Sequence, residues 1–156
     1  MFFVLLTFLL SYSFSAQAAK PCKELPFEVV AEGFKFPEGP AFDAEGNLYV
    51  VAYREYSEIG VIRADGTVGP FFDLGSEGAP NGMAFSSDGR LFACEYEGDR
   101  IVAIDLAAKK VSTVVDSYQG KPLNDPNDIF LCANGDLYFT DPYREDATGG
   151  GRVFVY

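Results

Sequence analysis

Hydrophobic residues fall into short runs separated by polar turns that contain glycine, and the same pattern occurs three times along the chain. Residues 42–50, 85–93 and 131–139 align, each with an apolar start, a polar turn and a second strand rich in aromatic or apolar residues. The turn glycines are residues 46, 89 and 135, so successive repeats are offset by 43 and 46 residues. Repeats of about 40–50 residues built from short strands are typical of β-propeller blades.

Two more strands follow the first two in each complete repeat. The pattern predicts them at 60–63, 67–72, 100–105 and 110–115. No stretch has sustained helical periodicity, so the predicted fold class is all-β, a β-propeller. The third repeat stops inside an apparent strand at 152–156, and a propeller needs about four to eight blades to close. We therefore expect about three blades, the N-terminal half of a longer protein. A half-ring completed by dimerisation is the alternative.

The N-terminal segment, residues 1–19, has the features of a secretory signal peptide. Its apolar run at 2–10 is too short to span a bilayer, and small residues at 16–18 suit cleavage near Ala18 or Ala19. The prediction is a secreted or periplasmic protein; an uncleaved anchor is the alternative, because no charge interrupts the segment. The predicted domain organisation is a signal peptide over 1–19, a lead-in segment over 20–26 and a partial propeller over 27–156.

Composition narrows the classes of partner. The formal net charge of −11 disfavours nucleic acid and anionic membrane surfaces, so no nucleic acid and no stable membrane partner is expected. The chain contains no histidine, which excludes a serine–histidine triad, a cysteine–histidine pair and histidine-based zinc from these residues. Cys22, Cys94 and Cys132 are widely spaced without a CxxC motif, and we expect buried or unreactive thiols. A disulfide between two of them is the alternative in an oxidising compartment.

A polar residue follows a proline at the start of the first strand of every repeat: Glu38, Asn81 and Asn127. First strands line the channel of a propeller, so these oxygens would point inward at one height around the axis. A carboxylate with amide oxygens favours a hard cation, with Ca²⁺ fitting best and Mg²⁺ or another divalent cation as an alternative. The competing interpretation is an ordinary turn or cap role for each residue.

Other prominent residues have structural explanations. Turn chemistry accounts for the polar residues at the hairpin tips, Asp65, Asp88 and Asn134. Aromatic residues of the second strands are expected in the core between blades, namely Tyr49, Phe92, Tyr138 and Phe139.

Five motifs together resemble the SMP-30/gluconolactonase family, which includes regucalcin or senescence marker protein. They are Pro-Glu-Gly-Pro at 37–40, Pro-Asn-Gly at 80–82, Ala-Cys-Glu at 93–95, Leu-Asn-Asp-Pro-Asn-Asp at 123–128 and Tyr-Phe-Thr-Asp-Pro at 138–142. The resemblance covers residues 27–156. It implies a six-bladed propeller that holds a divalent cation, usually calcium, in its channel and in many members hydrolyses lactones or related esters.

The resemblance also implies roles for individual residues. Glu38 matches a metal-binding carboxylate and Asn127 an amide that faces metal or substrate. The implied substrate-side residues are Asn81, Asn124 and Asp128. Glu95 and Asp141 match motif positions without a defined role. The remaining metal ligands and the catalytic base would belong to later blades, so this chain alone is expected to be inactive.

The resulting hypothesis is a calcium-dependent lactone hydrolase whose partner is a small lactone or ester. A non-catalytic secreted calcium-binding propeller is the alternative from a different functional class. An organophosphate or aryl-ester hydrolase is an alternative with the same fold. A strictosidine-synthase-like enzyme is disfavoured, because Glu38 and Asn127 retain oxygens suited to a metal.

Overall fold

The computed structural model describes residues 28–52, 58–73, 79–142 and 150–156. The predicted signal peptide at 1–19, the lead-in segment at 20–26 and Cys22 lie outside these ranges. Within them, no helix has the length and apolar character needed to cross a membrane.

The described strands form three antiparallel meanders in chain order, which are consecutive propeller blades. Blade 1 contains β1 (Pro37–Phe42), β2 (Leu48–Ala52), β3 (Glu58–Ile62) and β4 (Val68–Asp73). Blade 2 contains β5 (Pro80–Phe85), β6 (Leu91–Glu95), β7 (Arg100–Asp105) and β8 (Lys110–Val115). A hairpin of β9 (Ser117–Tyr118) and β10 (Lys121–Pro122) precedes blade 3, which contains β11 (Ile129–Leu131), β12 (Leu137–Asp141) and β13 (Arg152–Val155). The predicted all-β propeller is confirmed.

The turn between the first two strands is the same in all three blades. Its glycine has a φ of +82° at Gly46, +83° at Gly89 and +96° at Gly135, a conformation that other residues rarely adopt. In each turn, the glycine N–H donates to the carbonyl oxygen of the residue three positions earlier. The local sequence therefore fixes where the first strand of each blade ends and where the second strand begins. The first strands, β1, β5 and β11, are called the inner strands below.

Two apolar clusters hold neighbouring blades together. The first joins blades 1 and 2 and includes Tyr49, while the second joins blades 2 and 3 and includes Phe92 and Phe139. These three aromatics are buried, as predicted. Tyr138 is 40% exposed, on the face of blade 3 that no described blade covers. Successive strand residues point to opposite faces, so Tyr138 points away from blade 2 while its neighbour Phe139 packs against it.

The first strand of blade 3 begins two residues later than the sequence pattern places it, since Asn127 precedes it. It covers only Ile129–Leu131, and Phe130 is 66% exposed while Ile129 is buried. The same alternation explains the difference: one face of β11 packs on blade 2, and the side chain of Phe130 points away from it.

The hairpin β9–β10 has no counterpart in the sequence prediction. Its turn contains Gln119 and Gly120, whose φ angles are +52° and +75°. Tyr118 packs on Phe154 of β13 with ring centroids 5.2 Å apart. The hairpin is therefore in contact with β13 of blade 3.

Candidate functional site

The predicted site residues lie where the inner strands of the three blades begin. Strand β1 contacts β5, and β5 contacts β11, so these strands lie side by side in blade order. Glu38 and Asn81 lie near the starts of β1 and β5, and Asn127 lies two residues before β11. All three are half-buried. The structure thus places them at equivalent points of adjacent strands.

At the first two of these points, the strand pairing is locally irregular. The register of β1 with β2 shifts between Glu38 and Ala41, and that of β5 with β6 shifts between Pro80 and Met83. A β-bulge bends its strand and changes the direction in which side chains leave it. In a regular strand, side chains alternate between the two faces of the sheet. The same bulge in successive blades can therefore turn the polar side chains out of this alternation.

Glycines bring the neighbouring inner strands into close contact. A Cβ atom added at Gly39 would lie 2.0 Å from the Asn81 backbone oxygen, and one at Gly82 would lie 2.9 Å from the Asn127 backbone oxygen. The Gly82 N–H also donates a hydrogen bond of 2.8 Å to that Asn127 oxygen. Because no side chain separates the backbones, the polar residue before each glycine lies beside the start of the next inner strand.

The side chains of Glu38, Asn81 and Asn127 have no hydrogen-bond or ion-pair partner in the part of the chain that the structure describes. Half-buried polar groups without partners are costly unless a ligand or solvent satisfies them. Their oxygens therefore remain available to bind a ligand at the start of the inner strands.

The segment that leads into Asn127 is held by hydrogen bonds from two sides. Asn124 N–H donates to Asp141 Oδ1 at 2.7 Å, and Asp125 N–H donates to Asp99 Oδ1 at 2.8 Å. Pro126 is fully buried directly before Asn127. These contacts therefore fix the path of residues 124–126 into the site.

Asn124, a predicted substrate-side residue, uses much of its bonding capacity inside this segment. Its Nδ2 donates to the Pro142 carbonyl oxygen at 3.1 Å, which leaves its Oδ1 and its second Nδ2–H available to a ligand. Asp128 is exposed, and its Oδ1 accepts a hydrogen bond from Ile129 N–H at 2.9 Å. The roles predicted for both residues stay predictions.

Burial dominates the electrostatics of Asp141. Asp141 as a residue is 8% exposed, and its pKa is raised above the ordinary value of 3.8 mainly by desolvation. The hydrogen bond from Asn124 N–H lowers the pKa, while the negative charge of Asp99 raises it. Since the net change is upward, the folded protein holds the Asp141 proton more tightly than the unfolded chain does.

This difference predicts a specific pH dependence for the variant Asp141→Asn. As pH rises from about 3.8 through the raised pKa, the folded wild type binds more protons than the unfolded chain, so Asp141 lowers stability progressively. We expect Asp141→Asn to become more stable relative to wild type across this window, since an amide oxygen can still accept from Asn124. Guanidinium unfolding in calcium-free buffer at several pH values measures this. Asp116→Asn, at an exposed position, is the control, and parallel wild-type and Asp141→Asn profiles would contradict the expectation.

Glu95 is structural, since it is 1% exposed and forms an ion pair with Arg100 across the hairpin of β6 and β7. A Cβ atom at Gly98 would lie 2.6 Å from Glu95 Oε2, so a glycine in this turn gives the carboxylate room.

Cys94 and Cys132 are free thiols, and no disulfide joins them. Cys94 is fully buried, as expected, and burial raises the pKa of its thiol.

No group of three or more histidine, cysteine, aspartate or glutamate side chains within the described ranges could hold a metal ion. The polar side chains at the starts of the inner strands are one carboxylate and two amides, which offer oxygen donors and no nitrogen or sulfur ligand of the imidazole or thiolate type. Such a set fits a hard cation such as Ca²⁺ and supplies part of the six to eight oxygens that it takes. The residues present therefore fit a share of a calcium site.

Comparisons with known proteins identify the relatives of this chain. The family described as SMP-30/Gluconolactonase/LRE-like region matches residues 36–156. The gluconolactonase of Zymomonas mobilis is 30% identical over 128 residues, which cover 75% of this chain and 36% of that protein. The structure of a gluconolactonase from Xanthomonas campestris superposes with a TM-score of 0.71 at 27% identity, covering 81% of this chain and 45% of that one. Regucalcin from Agrobacterium tumefaciens, a calcium-binding protein, superposes with a TM-score of 0.64 at 23% identity, covering 81% and 42%, and shows likeness of fold. The chain spans less than half the length of each of these relatives.

Proposed function

The chain belongs to the SMP-30/gluconolactonase/LRE-like family, and from this premise we propose that it forms the first three blades of a calcium-dependent lactone hydrolase. The observation that carries the proposal is the set of three half-buried polar side chains that have no partner among the described residues. They occur at equivalent points of adjacent inner strands, next to glycines that bring the strands together.

Glu38 and Asn127 are the residues that would hold the cation, through carboxylate and amide oxygens. When bound, calcium supplies a positive charge that polarises the lactone carbonyl and stabilises the negative charge developing on its oxygen. Other ligands would come from blades beyond these three.

The other polar residues suit a polyhydroxylated substrate. The Asn81 amide can donate to and accept from substrate hydroxyls, and the exposed Asp128 carboxylate can accept from them. The free Oδ1 of Asn124 is a further acceptor. Together they would orient the ring so that water, activated by a channel carboxylate from a later blade, attacks the carbonyl carbon. Ring opening then yields a hydroxy acid.

Turnover of glucono-1,5-lactone tests the proposal in the protein expressed from its complete coding sequence. We expect hydrolysis that EDTA abolishes and added Ca²⁺ restores, measured by acid release in a pH-stat. An aryl ester and an organophosphate serve as comparison substrates for the alternative activities. Calcium binding without lactone turnover would instead identify a binding propeller, and turnover that survives chelation would contradict the metal dependence.

A further inference from the structure

Thr140 on β12 forms three hydrogen bonds with the backbone of Asn127 and Asp128. Its carbonyl oxygen accepts a hydrogen bond from Asn127 N–H at 2.9 Å, and its N–H donates to the Asp128 carbonyl oxygen at 2.9 Å. Two residues thus face one, which is the arrangement of a β-bulge. The Thr140 Oγ1 accepts the remaining N–H, that of Asp128, at 3.0 Å.

The other two blades lack the hydroxyl group at this position, and blade 2 satisfies the N–H in a different way. The repeat alignment places Val51 and Cys94 where blade 3 has its threonine, and neither carries a hydroxyl group. In blade 2 the residue corresponding to Asp128 is Gly82, and its N–H donates to the Asn127 carbonyl oxygen of the next blade at 2.8 Å. The bulge N–H is therefore satisfied by a neighbouring blade in one case and by a side-chain hydroxyl in the other.

We propose that Thr140 is a positioning residue for the site, whose hydroxyl fixes the orientation of the Asn127–Asp128 dipeptide. A bulge leaves one backbone N–H outside the regular ladder, and an unsatisfied group there would favour rotation of the peptide plane. Fixing this plane fixes the directions in which both side chains leave the backbone. The functional part of the inference rests on the proposed function, whereas the hydrogen bond itself does not.

Amide hydrogen exchange tests the hydrogen bond without reference to any ligand. In Thr140→Val, which keeps the shape but removes the hydroxyl, the Asp128 amide should exchange about 10-fold faster by NMR, the value expected for loss of one hydrogen bond. Thr140→Ser keeps the Oγ and should stay within about twofold of wild type. Unchanged exchange in Thr140→Val, or equal acceleration in both variants, would overturn the proposal.

Calcium titration and lactone kinetics test the positioning role in the protein from its complete coding sequence. Thr140→Val should weaken calcium affinity about 10-fold, as loss of an orienting partner does, and should lower kcat more than it raises KM, with Thr140→Ser restoring both. Thr113→Val, at an exposed position of β8, is the matched control and should behave as wild type. Wild-type affinity and kcat in Thr140→Val would overturn the positioning role. If wild type neither binds calcium nor hydrolyses the lactone, the proposed function fails, and amide exchange alone then decides whether Thr140 holds the dipeptide.

Discussion

Calcium affinity is expected to fall by about 100-fold or more when Glu38 is replaced by glutamine, and lactone hydrolysis is expected to fall with it. Ligand charge count sets much of the affinity of a calcium site, and loss of a ligand should exceed the 10–100-fold cost of losing an outer-shell partner. Glu38 supplies the carboxylate among the three side chains at the inner-strand starts that have no partner in the described part of the chain. Isothermal titration calorimetry with CaCl₂ measures the affinity of both proteins.

The control for Glu38→Gln is Glu45→Gln, which changes the net charge of the protein by the same amount. Glu45 is exposed in the turn between β1 and β2, at the opposite end of the strand that begins near Glu38. A local ligand role predicts wild-type affinity in Glu45→Gln. Equal losses in both variants would point to the overall negative charge, and unchanged affinity in Glu38→Gln would show that the ligand assignment is wrong.

The blade architecture could be predicted from sequence because its determinants are local. Positive φ at Gly46, Gly89 and Gly135 requires a residue that tolerates this conformation, so the turns appear directly in the sequence. Strands β7 and β8 have the predicted bounds, and β3 and β4 differ from them by one or two residues at their ends. The burial of individual side chains was less predictable. The exposure of Tyr138 and Phe130 depends on which face of the sheet meets the neighbouring blade.

The contacts that shape the site were not predictable in the same way, because they join residues far apart in sequence. The partner of the Asp128 N–H is a hydroxyl 12 residues away, and Gly82 meets the backbone of the following blade. A signal was nevertheless present: glycine follows the polar residue in the first two repeats, and threonine replaces an apolar residue in the third. The hairpin at Tyr118 left a weaker signal, since Gln119 is not a typical turn residue.

Replacing Gly82 by alanine is expected to destabilise the protein by about 1–3 kcal/mol, the usual cost of overpacking a tight contact. The added Cβ would lie 2.7 Å from Asp128 Cα and 2.9 Å from the Asn127 carbonyl oxygen. Both are backbone atoms, so relief requires the inner strands of blades 2 and 3 to separate. Separation would also stretch the hydrogen bond from Gly82 N–H to Asn127, and guanidinium unfolding measures the combined loss.

Gly69→Ala provides the matched control for Gly82→Ala, because Gly69 also lies in a strand and its added Cβ would come no closer than 3.6 Å, to the Arg63 side chain. Its effect should stay within about 0.5 kcal/mol. Similar losses in the two variants would indicate a general cost of alanine at strand glycines and would contradict the steric explanation. Gly82 follows Asn81 in the sequence and donates its N–H to the Asn127 carbonyl oxygen. Separation of these strands should therefore also weaken calcium binding in Gly82→Ala. Gly69→Ala should bind calcium as wild type does. This joint loss of stability and affinity is expected if close backbone contact between blades sets the spacing of the ligand oxygens.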